Sequence, residues 1–217
     1  MNARLTAASG FAPWAEIVAG VGPVAVDDLL SWPDDGRRYE VVEGVLVRGA
    51  GNGARAATVV RRLAARLGDY VDAYDLGIVT GADGVFKFPH AETGLLPDVG
   101  FLAAERADRI ADYDKPIPFP PDLAVEVISP SQSAADLAAK VQRYLIGGTA
   151  LVWVFRPERG AVDVWRPRDL RPRYQDMRAE TTLHAGSEDT LDGGDVVPGF
   201  SCLLAPLFSM RREGAGL

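Results

Sequence analysis

Two lone carboxylates stand in otherwise apolar stretches of this chain, and a lysine follows the second of them. Asp98 lies in Pro97-Asp98-Val99-Gly100-Phe101-Leu102, and Glu126 in Pro121-Asp122-Leu123-Ala124-Val125-Glu126-Val127-Ile128. Lys140 comes next, in a stretch of helical spacing whose inward residues are Leu137, Val141, Tyr144 and Leu145. A buried carboxylate is costly unless something compensates it, so each position invites a cation. At ~100° per residue Lys140 sits about 40° from Tyr144, on the border of the buried face, where its ammonium can reach a strand below. Two carboxylates and one lysine in a small volume suit Mg2+, a hard cation that keeps several waters and is usually held by one or two carboxylates. A metal beside a lysine can generate a hydroxide and neutralise the charge that grows on a reacting phosphorus. Spacing leaves a plainer alternative open, with Asp98 as a turn cap after Pro97 and Glu126–Lys140 as a structural ion pair.

Other candidate chemistries are thinner. Arg55, Arg62 and Arg66 fall along one border of an amphipathic stripe, with Arg61 beside them. They are either a solvated helix edge or a ridge that contacts backbone phosphates, for which arginine is well suited. The loop Gly49-Ala50-Gly51-Asn52-Gly53 lacks the Lys-Ser/Thr of a phosphate-binding loop. No Gly-x-Ser-x-Gly is present, Cys202 has no histidine near it in sequence, and His90 and His184 fall in expected loops.

The elements that must position these residues follow from periodicity. Val24 to Trp32 reads as a short helix ended by Pro33 and Gly36. Arg38 to Val47 reads as a β-hairpin turning at Glu43-Gly44. From Arg55 to Val71 the spacing is helical, with Ala56, Val59, Leu63, Leu67 and Tyr70 on one face. Leu76–Thr80 and Val85–Phe88 are expected as strands joined in a hairpin through Gly81-Ala82-Asp83-Gly84. Pro97 to Leu102 is the next strand, and 104–121 is a polar, proline-rich excursion. Leu123 to Ile128 is apolar on both faces apart from Glu126, as in a central strand covered on both sides. Ser133 and Asp136 resemble a capping box that opens a helix to about Ile146, where Gly147-Gly148 stops it. Leu151–Phe155 is a further buried strand, and Ala161–Trp165 pairs with it. This order indicates an α/β sheet covered by helices.

Bulk properties bound the rest. The chain has 217 residues, 47% hydrophobic and 24% charged, which fits one globular domain. The expected division is a flexible leader over 1–22, a single domain over 23–210 and a tail over 211–217. No apolar run approaches the roughly 20 residues that span a bilayer, and the first residues lack the apolar core of a signal peptide. The single cysteine excludes an internal disulfide and fits a reducing cytosol, so a cytoplasmic location is expected. A net charge of −7 argues against a general polyanion binder and leaves room for a local basic patch.

Several segments together also carry a resemblance. Tyr39-Glu40-Val41-Val42-Glu43-Gly44, Pro97-Asp98-Val99, Pro121-Asp122 through Val127-Ile128-Ser129-Pro130-Ser131, Lys140 followed by Tyr144, Trp153, and Pro198-Gly199-Phe200 occur in matching order. From about Val24 to Phe208 the chain resembles the Uma2 family of restriction-endonuclease-like proteins, within the PD-(D/E)xK nuclease superfamily. The resemblance implies a restriction-endonuclease-like fold, with a mixed central sheet flanked by helices, and Mg2+-dependent cleavage of DNA phosphodiesters, with Mn2+ a possible substitute. It makes Asp98 and Glu126 the metal ligands, with the carbonyl of Val127 an extra one. Ile128 stands where the motif's lysine is expected, and Lys140 would be that lysine, migrated to the helix. Glu40 resembles the family's upstream acidic residue and would complete the site, ahead of Glu43. Where the family often has a histidine entering the helix after the glycine-rich loop, this chain has Arg55 and Ala56. A catalytically weak or inactive binding protein with the same fold is the competing expectation. A homodimer would suit a duplex, whose two strands are related by two-fold symmetry.

Overall fold

The computed structural model describes residues 15–49, 51, 53–128, 134–173 and 176–210. It opens with β1 (Ala15–Ile17), a 3-10 turn over Val26–Ser31, and the hairpin β2 (Tyr39–Val42) and β3 (Val45–Gly49). Glu43 and Gly44 both have positive φ, 51° and 76°, the backbone that a two-residue type I′ turn requires. Helix α1 (Ala54–Ala73) follows, then β4 (Gly77–Thr80), β5 (Phe86–Phe88), β6 (Thr93–Leu95) and β7 (Val99–Ala103). A single helical turn, α2 (Ala104–Ala107), leads by way of the proline-rich excursion to β8 (Leu123–Val127), α3 (Ala134–Gly147), β9 (Leu151–Arg156) and β10 (Ala161–Trp165). The chain closes with β11 (Thr181–His184), β12 (Thr190–Asp192), β13 (Ser201–Leu203) and the short α4 (Ala205–Phe208).

Two main sheets result. The larger has six strands in the order β11-β10-β9-β8-β7-β4, and the smaller has five in the order β1-β3-β2-β6-β5. In the larger sheet β8 and β9 run parallel and all other neighbours are antiparallel. Strand β8 is buried along its whole length, which explains its apolar composition. Alternation sends Leu123 and Val125 to one face, where Val59, Leu63, Leu67 and Val71 of α1 cover them. Ala124 points to the other face, against Leu137, Val141 and Tyr144 of α3. Glu126 shares the face of Ala124 by the same alternation.

The smaller sheet packs on the far side of α3, so this helix is held between two sheets. Val42, Val47, Phe86, Phe88 and Leu95 belong to the same buried cluster as Leu137, Val141 and Tyr144. The Phe88 and Tyr144 rings meet edge-on at 5.7 Å. At Gly147 an added Cβ would stand 2.1 Å from the Phe88 ring, and at Gly100 one would stand 2.6 Å from the Phe86 ring. Both glycines permit the close approach of the smaller sheet.

One expectation changes, and four strands, β1, β6, β11 and β12, form where none was assigned. Leu76–Thr80 and Val85–Phe88 do not form a hairpin: β4 pairs with β7 and β5 with β6, in different sheets. Gly81 to Gly84 makes a local turn, closed by the Gly84 N–H on the Gly81 carbonyl at 3.1 Å, but burial of Phe86 and Phe88 against α3 draws the second segment away. Thr93–Leu95 is a strand paired with β2 and β5, and position 94 must be glycine because a Cβ there would strike Val26 at 2.5 Å. The charged stretch after β10 supplies β11 and β12. Within the stretch expected as a leader, Ala15–Ile17 pairs with β3 as an edge strand. The capping box at Ser133 lies outside the described residues. Among those that are described, no helix is long and apolar enough to cross a membrane.

Candidate functional site

Four elements bring the chemistry-bearing residues together. Strand β8 supplies Glu126, and Asp98 immediately precedes the neighbouring β7. Helix α3 lies across both and lowers Lys140 onto them, while β2 supplies Glu40 from the other sheet. All four side chains are buried: Asp98 is 3% exposed, Glu40 5%, and Glu126 and Lys140 8% each. Residues far apart in sequence thus converge in the layer between the sheets. Lys140 Nζ lies 2.9 Å from Glu126 Oε1 and 3.1 Å from Glu40 Oε1. The Tyr144 hydroxyl, one turn along α3, donates to the same Glu126 Oε1 at 2.6 Å. Glu40 Oε1 also accepts the Leu96 backbone N–H at 2.9 Å, which ties the smaller sheet to the segment that leads into Asp98.

Asp98 is held from two sides. Its Oδ2 accepts the backbone N–H of Val127 at 2.7 Å, and its own N–H donates to the Val125 carbonyl at 2.9 Å. Its Oδ1 takes Nη1 of Arg38 at 2.6 Å. The other guanidinium nitrogen, Nη2, donates to the carbonyls of Ala82 and Leu96, each at 2.7 Å, and of Pro97 at 3.4 Å. Arg38 did not emerge from the sequence as a site residue. The signal was available: Arg38 precedes Glu40 by two positions at the start of a strand, and residues two apart on a strand share a face.

The electrostatics follow from burial. Loss of water alone would lower the pKa of Lys140, but Glu126 and Glu40 reverse this and the net shift is upward. Glu126 is raised from its ordinary 4.5 to about 7, mainly because burial disfavours its charged form, with Lys140 pulling the other way. These two shifts are in tension, since an ammonium held in place demands an ionised partner. Lys140 has two carboxylates within 3.1 Å, so its charge is the fixed feature and Glu126 is the member that titrates. Burial beside Glu126 also drives the Tyr144 hydroxyl well above its usual range, so it is a proton donor to the carboxylate at neutral pH.

The arginines of α1 do not join this cluster. Their helix covers the opposite face of the larger sheet. Arg62 half-buries its guanidinium against α4, where it donates to the carbonyls of Pro206 at 3.1 Å, Leu207 at 3.3 Å and Ser209. Arg55 pairs at 3.7 Å with the exposed Glu158, and Arg66 is exposed beside Cys202. Burial raises the Cys202 thiol to about 11, so it is no nucleophile at neutral pH. Glu43 faces outward and pairs with Arg143 of α3 at 2.9 Å.

A second basic region lies closer to α3. Arg168, Arg171, Arg173 and Arg178 are exposed in the loop between β10 and β11. This loop is fastened to α3 by Gln142, which donates to the Arg171 carbonyl at 2.7 Å. Composition hid it, because aspartates and prolines interleave its arginines.

Comparison with known proteins agrees with this architecture. The model of the Uma2 family, described as "Putative restriction endonuclease", matches residues 26–206. No curated protein matches. A crystal structure from Anabaena variabilis ATCC 29413, of "a putative nuclease belonging to DUF820", aligns with a TM-score of 0.66. The alignment covers 86% of this chain and 98% of that one at 17% sequence identity. At that identity the likeness speaks for the fold, an α/β arrangement of the restriction-endonuclease-like type.

Proposed function

The chain belongs to the Uma2 family of restriction-endonuclease-like proteins, and on that footing we propose a Mg2+-dependent endonuclease that hydrolyses DNA phosphodiester bonds. The observation that carries the reading is Lys140, a charged ammonium bonded to Glu126 beside Asp98. The donor set fits Mg2+. Asp98 and Glu126 are hard oxygen ligands on adjacent strand ends. Glu126 spends Oε1 on Lys140 and Tyr144, while no bond among the described residues falls on its Oε2. Among the described residues no group of three or more His, Cys, Asp or Glu forms a metal cage. Mg2+ takes few protein ligands and keeps its waters. Mn2+ prefers the same oxygen donors.

When bound, the metal would lower the pKa of a coordinated water and offset charge on the phosphoryl oxygens. The protein's own part is positional and electrostatic. The Val127 amide and Arg38 fix both oxygens of Asp98, and Tyr144 with Lys140 fixes one oxygen of Glu126. Lys140 carries its proton throughout the neutral range, so it orients water and opposes developing negative charge and does not act as a general base. Glu40 holds the ammonium from the other side. DNA would lie across α3, with phosphates against Arg168, Arg171 and Arg173. Two copies about a two-fold axis would offer one centre to each strand.

One observation favours the second reading, a nuclease-fold binding protein without turnover. Asp98 is matched by Arg38, and Glu126 and Glu40 by Lys140, so three carboxylates already face two protein cations. Titration calorimetry with Mn2+ separates the two. The endonuclease reading expects binding that Glu126→Gln abolishes, and the absence of any Glu126-dependent binding would refute it.

A further inference from the structure

We propose that Arg38 is a resident cation that makes this centre a one-metal site. The inference rests on Asp98 and Glu126 being the metal ligands. Two-metal hydrolytic sites hold their ions about 3.5–4 Å apart with shared carboxylate ligands between them. Here the two oxygens of Asp98 have distinct surroundings. Oδ2 accepts the amide of Val127, the residue after Glu126 in β8, at 2.7 Å. Oδ1 is covered by the guanidinium of Arg38 at 2.6 Å. A second ion reaching Asp98 through Oδ1 would meet a permanent positive charge.

The guanidinium is not a mobile guest. Nη2 is bonded to the carbonyls of Leu96 and Pro97, the two residues before Asp98, and to Ala82 in the segment that links the two sheets. The backbone of Arg38 is itself held, because its carbonyl accepts the N–H of Gly49 at 3.1 Å. Displacing the side chain would strand these carbonyls together with Asp98. A planar fork fits three converging carbonyls and a carboxylate in a way that a lysine ammonium does not. Arg38 therefore has two effects. It fills one metal position, and its charge weakens the attraction of the remaining position for a divalent ion.

The test is a count of Mn2+ bound by the full chain, by calorimetry and by the electron-spin-resonance signal of free Mn2+. Wild type is expected to bind one Mn2+ per chain. Arg38→Met is expected to bind Mn2+ at least ten-fold more tightly or to take up a second ion, and Arg38→Gln serves if Met disturbs folding. Arg38→Lys keeps the charge and is expected to retain one site. Two Mn2+ per wild-type chain would overturn the inference. So would a folded Met or Gln variant with one ion at unchanged affinity, and that outcome leaves the metal reading of Asp98 and Glu126 standing. A wild-type protein that binds no Mn2+ refutes the metal reading and this inference with it.

Discussion

Replacing Lys140 by Met tests whether the cluster is an ionic network in which one ammonium serves two carboxylates. The two side chains are close in length and the apolar stem is preserved, so little packing is lost. What goes is the ammonium within 3.1 Å of both Glu126 and Glu40. Breaking a buried pair by removing one partner costs about 3–5 kcal/mol, because the remaining charge is left uncompensated. The cost depends on pH with a definite sign. Glu126 releases its proton near pH 7 in the folded protein, and without Lys140 it would hold that proton to higher pH. At pH 5 Glu126 is protonated in either protein, so its share of the penalty is small and only the loss of Glu40's partner remains. At pH 8 it is ionised in wild type, and the variant must either bury an unpaired charge or take up a proton. Urea unfolding monitored by tryptophan fluorescence at pH 5, 6.5 and 8 should show the destabilisation growing along that series. Adding Glu126→Gln should recover part of the loss at pH 8. A variant within 0.5 kcal/mol of wild type at every pH, below the range of a broken buried pair, would refute this description of the cluster.

Further consequences can be measured separately. In Glu126→Gln the titrating carboxyl is gone. Folded wild type keeps this proton up to about pH 7, whereas the unfolded chain loses it near 4.5, so this group's contribution to stability falls as pH rises between those values. The stability of the variant relative to wild type should therefore increase by roughly 3 kcal/mol across that window and level off above it; a flat difference would contradict the buried, titrating Glu126. Arg62→Ala should lower stability by about 1–3 kcal/mol through the loss of bonds to the α4 carbonyls and leave DNA affinity unchanged in a mobility-shift assay, whereas loss of binding by a folded variant would restore the α1 ridge as a phosphate contact. Arg171→Glu with Arg173→Glu should weaken duplex binding and flatten its dependence on salt by about one to two counterions, and an unaltered salt slope would remove the loop between β10 and β11 from the interface.

Much of the larger sheet and of the cluster was legible because burial leaves periodic marks. A strand covered on both faces is apolar at every position, so Glu126 stood out within Leu123–Val127. Helical spacing turned Lys140 towards the strands, and the structure brings it to Glu126 and Glu40. Arg38 was hidden because an arginine at the head of a strand looks like any solvated side chain. Its identity as a site residue depends on three carbonyls and a carboxylate that meet only in the folded chain. The stripe on α1 was read correctly as amphipathic, but amphipathicity does not say which face of a sheet a helix covers, and α1 covers the one opposite Glu126. The hairpin expected through Gly81-Ala82-Asp83-Gly84 failed for a related reason. A turn signal is local, and the burial of Phe86 and Phe88 that decides their partners is not. Strands β6, β11 and β12 have only three or four residues each, too few to show alternation.

The most direct test of the central claim is cleavage of supercoiled plasmid DNA by purified wild type and by Glu126→Gln, with Mg2+ or Mn2+ and with a chelator. Glu126→Gln preserves the shape of the side chain and a hydrogen-bond acceptor for Lys140 while removing a charged metal ligand, and its circular dichroism melt would establish folding. The expected result is nicked and linear product from wild type with divalent metal, none with chelator, and at least a hundred-fold lower rate from the variant. Equal cleavage by wild type and the folded variant, or none by a wild-type protein that demonstrably binds Mn2+ and DNA, would contradict an endonuclease built on Asp98, Glu126 and Lys140.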